Sequence, residues 1–108
     1  MTRAYIAGPI SNIAGLNKAA FDLAAARLML KGYSVVNPHD LVAGLNPTWS
    51  QAMRICIKAL VDCDRIALLP GWGRSRGALL ERMIARALGI EALDLCDVTV
   101  AEELGIPT

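Results

Sequence analysis

Arg65-Ile66-Ala67-Leu68-Leu69-Pro70-Gly71-Trp72-Gly73-Arg74-Ser75-Arg76-Gly77-Ala78-Leu79-Leu80-Glu81 reads as a strand, a glycine-rich loop and the opening of a helix. Arg65–Leu69 is a short apolar run stopped at Pro70-Gly71, the pattern of a buried strand. The helix is predicted to start between Ser75 and Ala78, to carry Leu79, Leu80, Met83, Ile84 and Leu88, and to end at Gly89. The same alternation extends outward in both directions. Downstream, Ile90–Leu95 reads as a fourth strand, with Thr99 capping a last short turn through Glu102 and Leu104. Upstream, Thr48-Trp49-Ser50-Gln51 has capping-box spacing, so a second helix is expected from there to about Val61 or Asp62. Tyr33–Val36 is β-prone and ends at Asn37-Pro38, where proline forbids a regular ladder and a loop through His39 and Asp40 is expected. Leu16–Lys31 places Phe21, Ala24, Ala25 and Leu28 at helical spacing before Gly32, and gives the first helix. Arg3–Ala7, ending at Gly8-Pro9, is the first strand and is expected at the centre of the sheet.

Strands alternating with helices imply βαβ units with right-handed crossovers. The fold class expected is therefore α/β: one doubly wound, flavodoxin- or Rossmann-like parallel sheet of four to five strands, helices on both faces, with residues 1–108 forming one domain. Ligands of such sheets bind beyond the carboxyl ends of the strands. Three loops qualify here: Gly8–Asn12, Asn37–Asp40 and Pro70–Gly77.

Composition narrows the partners. Of the 108 residues, 55% are hydrophobic and 19% charged, which is apolar for a small domain with much surface, so a homodimer or larger assembly is expected. The net charge of +1, with Arg and Lys spread along the chain, argues against polymeric nucleic acid. No stretch reaches the roughly 18 uninterrupted apolar residues of a membrane span, and the expected location is cytoplasmic. Cys56, Cys63 and Cys96 lack CxxC spacing and a His cluster, which points to buried reduced thiols and to neither a disulfide framework nor a metal site.

Several residues are candidates for chemistry. The 70–77 loop combines three glycines with Ser75, Arg74 and Arg76 ahead of a helix N-terminus, which suits an anion; its spacing is neither a Walker A loop nor GxGxxG, so an ordinary strand-to-helix turn fits equally. Glu81 reads either as a solvent-facing carboxylate near a helix start or as a nucleophile held at the strand-end crevice. His39 is either a base contact or proton donor, or an inert loop residue. Trp49 and Trp72 divide between stacking on a nucleobase and packing at an interface, while Asp62 and Asp64 suit capping and turns.

Taken together, Tyr5-Ile6-Ala7-Gly8-Pro9-Ile10, Asn37-Pro38, Cys63-Asp64 before Ile66–Leu69, Pro70-Gly71-Trp72 and Ser75-x-Gly77-Ala78-x-x-Glu81 resemble the nucleoside 2-deoxyribosyltransferase-like family. The likeness covers about residues 3 to 93 and is greatest to small, often phage- or prophage-borne members of undefined function. It implies that Glu81 is the nucleophile that takes the sugar at C1′ and that Tyr5 orients it. It implies no metal or organic cofactor, and a small-molecule nucleoside or nucleotide as ligand. Gly8, Pro9, Ile10, Ser11, Ser75 and Gly77 would line the sugar and phosphate region, with Pro70, Gly71 and Trp72 shaping the wall. Apart from the likeness, His39 and Asp40 of the second loop are further candidates for the site, Asp40 as a source of a carboxylate. Ser75 resembles the phosphate contact of deoxynucleoside 5′-monophosphate N-glycosidases, which tilts the reading toward a 5′-monophosphate and hydrolysis.

Two departures stand against that pattern. Those hydrolases carry a serine and an arginine in the first loop where this chain has Pro9 and Ser11; Ser11, Asn12, Arg74 and Arg76 are the residues available to compensate. Family members also place an aspartate eight residues before the Asp that opens the third strand, and counting back from Asp64 lands on Cys56, a weak substitute as an acid at an ordinary thiol pKa near 8.5. The alternative reading is therefore a nucleotide-binding or sensing module without turnover. A third, a phosphoribohydrolase of the lysine-decarboxylase-like type, is faintly suggested by Pro70-Gly71 but lacks that family's Gly-Thr pair.

Overall fold

The computed structural model describes residues 1–11 and 13–95. In chain order the elements are β1 (Arg3–Ala7), a 3₁₀ turn (Ala14–Asn17), α1 (Lys18–Leu30), β2 (Ser34–Val36), α2 (Pro38–Leu41), α3 (Trp49–Leu60), β3 (Arg65–Leu68), a second 3₁₀ turn (Trp72–Arg74), α4 (Arg76–Ala87) and β4 (Glu91–Asp94). All four strands lie parallel in one sheet, in the order β2-β1-β3-β4. The expected α/β architecture is present, with β1 inside the sheet between β2 and β3. The expected turn at Thr99 through Glu102 and Leu104, together with Asn12 and Cys96, lies outside the described residues.

β1 shows why the sheet is covered on both faces. Tyr5 and Ala7 point into a core shared with Cys56 and Leu60 of α3 and Ala78 and Ala85 of α4, whereas Ala4 and Ile6 point into a second core with Phe21, Ala24, Ala25 and Leu28 of α1. A strand buried on both faces needs an unbroken apolar run, and this one supplies it. Because β2 and β3 flank β1 on opposite sides, the chain reverses its winding there, and a crevice opens beyond the carboxyl ends of β1 and β3.

The helix boundaries follow local chemistry. Thr48 and Gln51 form the full capping box at α3, the Thr48 hydroxyl accepting from the Gln51 N–H at 3.2 Å and the Gln51 side chain accepting from the Thr48 N–H at 2.9 Å. Ser75 caps α4 by accepting from the Ala78 N–H at 3.2 Å. Two expectations need correction. The stretch after Asn37 is a helical turn, not an irregular loop: the Asn37 side chain accepts the His39 N–H at 3.0 Å, and Pro38, useless in a ladder, has its φ preset for the first helical position. The first regular α-helix starts at Lys18 rather than Leu16, because Gly15, Leu16 and Asn17 all take positive φ and the Asn17 side chain is turned back to donate to the Pro9 carbonyl at 2.9 Å. Among the described residues, no helix is long and apolar enough to cross a membrane.

Candidate functional site

A cavity of about 760 Å³ occupies the crevice, walled by the loop after β1, by α2 and the segment leading into α3, and by the start of α4. Its size is ordinary for a small-ligand site. The loop after β1 lies flat because Gly8 permits it: a Cβ there would stand 2.7 Å from Leu69 Cβ, closer than atoms pack. At the opposite wall Gly77 lets α4 meet α3, its notional Cβ 3.1 Å from Met53 Sδ.

Glu81 lies on the inner face of α4 with Ala78 and Ala85, spaced three and four residues apart, and is 5% exposed. The solvent-facing alternative for this residue does not hold. Its Oε2 accepts a hydrogen bond from the hydroxyl of Tyr5, itself wholly buried on β1. Burial raises the Glu81 carboxyl to about 7, with the Tyr5 hydrogen bond pulling the other way. The Tyr5 hydroxyl is pushed well above its ordinary 10, first by burial and then by the Glu81 charge, so it remains a donor across the physiological range. Cys56 from α3 completes the cluster: it is buried and lines the cavity, and its thiol is raised by burial and by the Glu81 charge, against the pull of the Tyr5 hydroxyl.

Of the residues named from sequence, the structure brings Tyr5, Gly8, Pro9, Ile10, Ser11, His39, Ser75, Gly77 and Glu81 to this cavity. Asp40, Pro70, Gly71 and Trp72 do not line it. Asp40 is exposed on α2. Gly71 takes φ +85° and turns the chain out of β3, and Trp72 packs against the core on the Tyr5 side of the sheet. These three loop residues shape the approach to α4 and not the cavity wall.

Other lining residues went unassigned in the sequence. Phe21 of α1 reaches the cavity and meets the His39 ring edge-on, with centroids 4.8 Å apart and planes at 73°. Thr48 and Met53 line it too. Trp49, read from the sequence as a base-stacking or interface residue, is also in the lining, with the Arg76 guanidinium stacked 3.9 Å over its ring. The capping box located the start of α3, but nothing local told which way that start would point. Arg74, Ser75 and Arg76 gather hydrogen-bond donors and two positive charges at the same end of the cavity. Among the described residues, no group of three His, Cys, Asp or Glu side chains is placed to hold a metal ion.

The arrangement pairs a buried carboxyl group, hydrogen-bonded by a phenol through one oxygen, with a polar, cationic end suited to an anion. A family described as "Domain of unknown function (DUF4406)" matches residues 2–94. No curated protein matches the chain.

Proposed function

The chain belongs to the DUF4406 family, and for it we propose N-glycosidic bond cleavage or transfer on a deoxynucleoside or deoxynucleoside 5′-monophosphate, with Glu81 as nucleophile. The observation that carries this reading is the buried Tyr5–Glu81 hydrogen bond at the cavity wall. Buried carboxylates held by one phenol and raised toward neutrality are uncommon outside reactive sites, since leaving one there costs stability. Glu81 attacks C1′ of the sugar, the C1′–N bond breaks with its electron pair leaving on the base, and a glycosyl ester forms on the carboxylate. Water or a second base then attacks C1′ and frees Glu81. Tyr5 fixes Oε2 so that Oε1 faces the sugar. Arg74, Ser75 and Arg76 favour a 5′-phosphate at their end of the cavity.

One observation favours a rival, a nucleotide-binding module without turnover: the group beside Tyr5 and Glu81 is the buried Cys56 thiol, whose raised pKa makes it a poor acid. Chromatography of free base, after incubation with each deoxynucleoside, deoxynucleoside 5′-monophosphate and ribonucleotide, separates the two. The expected result is release by the wild type, from monophosphates above all, lost by several orders of magnitude in Glu81→Ala. No release, with nucleotide binding still measurable by calorimetry and base release gained on Cys56→Asp, would establish the binding module instead.

A further inference from the structure

Breaking a glycosidic bond to an ordinary nucleobase requires a proton for the departing ring nitrogen as well as a nucleophile for the sugar, and a positioned donor contributes roughly 10²–10⁴-fold. Among the described residues, the titratable side chains on the cavity wall are few. Glu81 attacks as the carboxylate; Tyr5 is engaged with Glu81 and holds its proton too tightly; Cys56 is a buried thiol pushed upward; Arg74 and Arg76 belong to the anion-binding end. His39 remains.

Its placement fits the task. His39 stands on α2, beyond the end of β2, while Glu81 stands on α4, beyond β3, so the two approach the cavity from opposite sides of β1. The turn that carries it is pinned by its backbone: the His39 N–H donates to the Asn37 side chain at 3.0 Å, and Asn37, itself buried, donates to Asp22 at 3.0 Å. The ring is treated differently. It rests edge-on against Phe21, and its Nε2 is closed to solvent with no hydrogen-bond partner among the described residues. A buried ring nitrogen without a partner costs stability, and a ligand that supplies the partner returns that cost. Because the anchoring hydrogen bond is made by the backbone, the imidazole can turn about its Cβ–Cγ bond to present Nε2 to a bound base without loosening the helical turn.

We propose that His39 is the catalytic acid of the site, protonating the departing base. This rests on the glycosidic reading above. As the C1′–N bond breaks, the imidazolium passes its Nε2 proton to the base nitrogen that receives the bonding pair, leaving neutral imidazole and a neutral base. In the second step Nε2 takes a proton from the water that attacks C1′, and the product sugar, free Glu81 carboxylate and imidazolium are regenerated.

The test compares two leaving groups. Deoxyguanosine 5′-monophosphate needs a proton to release its base; its N7-methyl derivative carries a cationic base that leaves without one. His39→Gln, and His39→Phe, which keeps an aromatic ring against Phe21, are expected to slow release of guanine by roughly 10²–10⁴-fold while slowing release of N7-methylguanine by no more than about a few-fold. A structural role would slow both substrates alike. Equal losses on the two, or no loss on either, overturn the proposal and leave Glu81 chemistry standing. A wild type that releases no base from any deoxynucleoside or deoxynucleoside 5′-monophosphate removes the glycosidic reading, and the His39 proposal with it. His39 is the sole histidine of the chain, so its imidazole proton resonance also gives an independent check: adding deoxyguanosine 5′-monophosphate to the Glu81→Ala protein is expected to shift it, and an unmoved resonance under demonstrated binding counts against the proposal.

Discussion

Glu81 faces inward because it shares a helical face with Ala78 and Ala85, and this was hard to see in the sequence. The bulky neighbours that suggested a core-facing stripe, Leu79 and Met83, are 40% and 67% exposed. Ala78 and Ala85 turn inward with Glu81, and Ile84 packs partly against the core, while Leu79, Met83 and Leu88 turn outward, so side-chain size alone did not mark the buried face. The family likeness supplied Glu81 and Tyr5 as a pair; their contact depends on the register of β1 beside β3 and on the rotation of α4, neither of which a local motif encodes. The pair makes a sharp prediction. Tyr5→Phe removes one hydrogen bond to a charged group, worth about 1.5–3 kcal/mol, and is expected to lower kcat by roughly 10- to 100-fold. Since that bond lowers the Glu81 pKa, its loss moves the acid limb of kcat/KM upward from about 7, with the sign opposite to that of an added donor. A pH–rate profile of the variant against the wild type reads both effects; an unmoved limb with reduced kcat would mean that Tyr5 only packs.

Elements with chemical punctuation at both ends were readable, and those defined by long-range contact were less so. Thr48, Gln51 and Ser75 announce α3 and α4 because caps satisfy backbone N–H groups locally. Asn37-Pro38 carries the same kind of signal, an N-cap followed by proline at the first helical position, but its proline read more readily as a strand terminator than as a helix start. α1 is apolar on both sides, with Leu23, Met29 and Leu30 exposed, yet the helical spacing of Phe21, Ala24, Ala25 and Leu28 picked out the face that the structure buries. The loop after β1 depends on Gly8 for its close approach to β3. Gly8→Ala sets a Cβ 2.7 Å from Leu69 Cβ, an atom tied to the backbone, and is expected to cost about 1–3 kcal/mol in denaturant unfolding. Gly77→Ala meets only the flexible thioether of Met53, at 3.1 Å, and should cost less. Equal costs at the two positions would argue that the loop after β1 adjusts more readily than its packing indicates.

At the scale of the whole molecule, the alternation of strand and helix made the parallel sheet legible, and the uninterrupted apolar run of β1 marked it as central; the order β2-β1-β3-β4, which places the cavity, is set by which strand pairs with which and leaves no trace in any single segment. Stability as a function of pH integrates the same burial. The Glu81 carboxyl titrates at about 7 in the folded chain and near 4.5 when unfolded, so between these values the folded state holds a proton that the unfolded state has lost. Its contribution is therefore fully favourable below about pH 4.5 and is lost as pH rises through about 7, leaving a penalty of about 3 kcal/mol at alkaline pH. Glu81→Gln carries no such charge. The difference in unfolding free energy, variant minus wild type, is expected to be small near pH 4.5 and to grow to about 3 kcal/mol in favour of the variant by about pH 8. Taking the difference cancels every other group that titrates alike in both proteins, so urea midpoints across the pH series isolate this carboxyl. Parallel curves would mean that Glu81 is ionised in the folded protein at the same pH as in the unfolded chain, and that the molecule does not sacrifice stability to hold a buried carboxylate in its cavity.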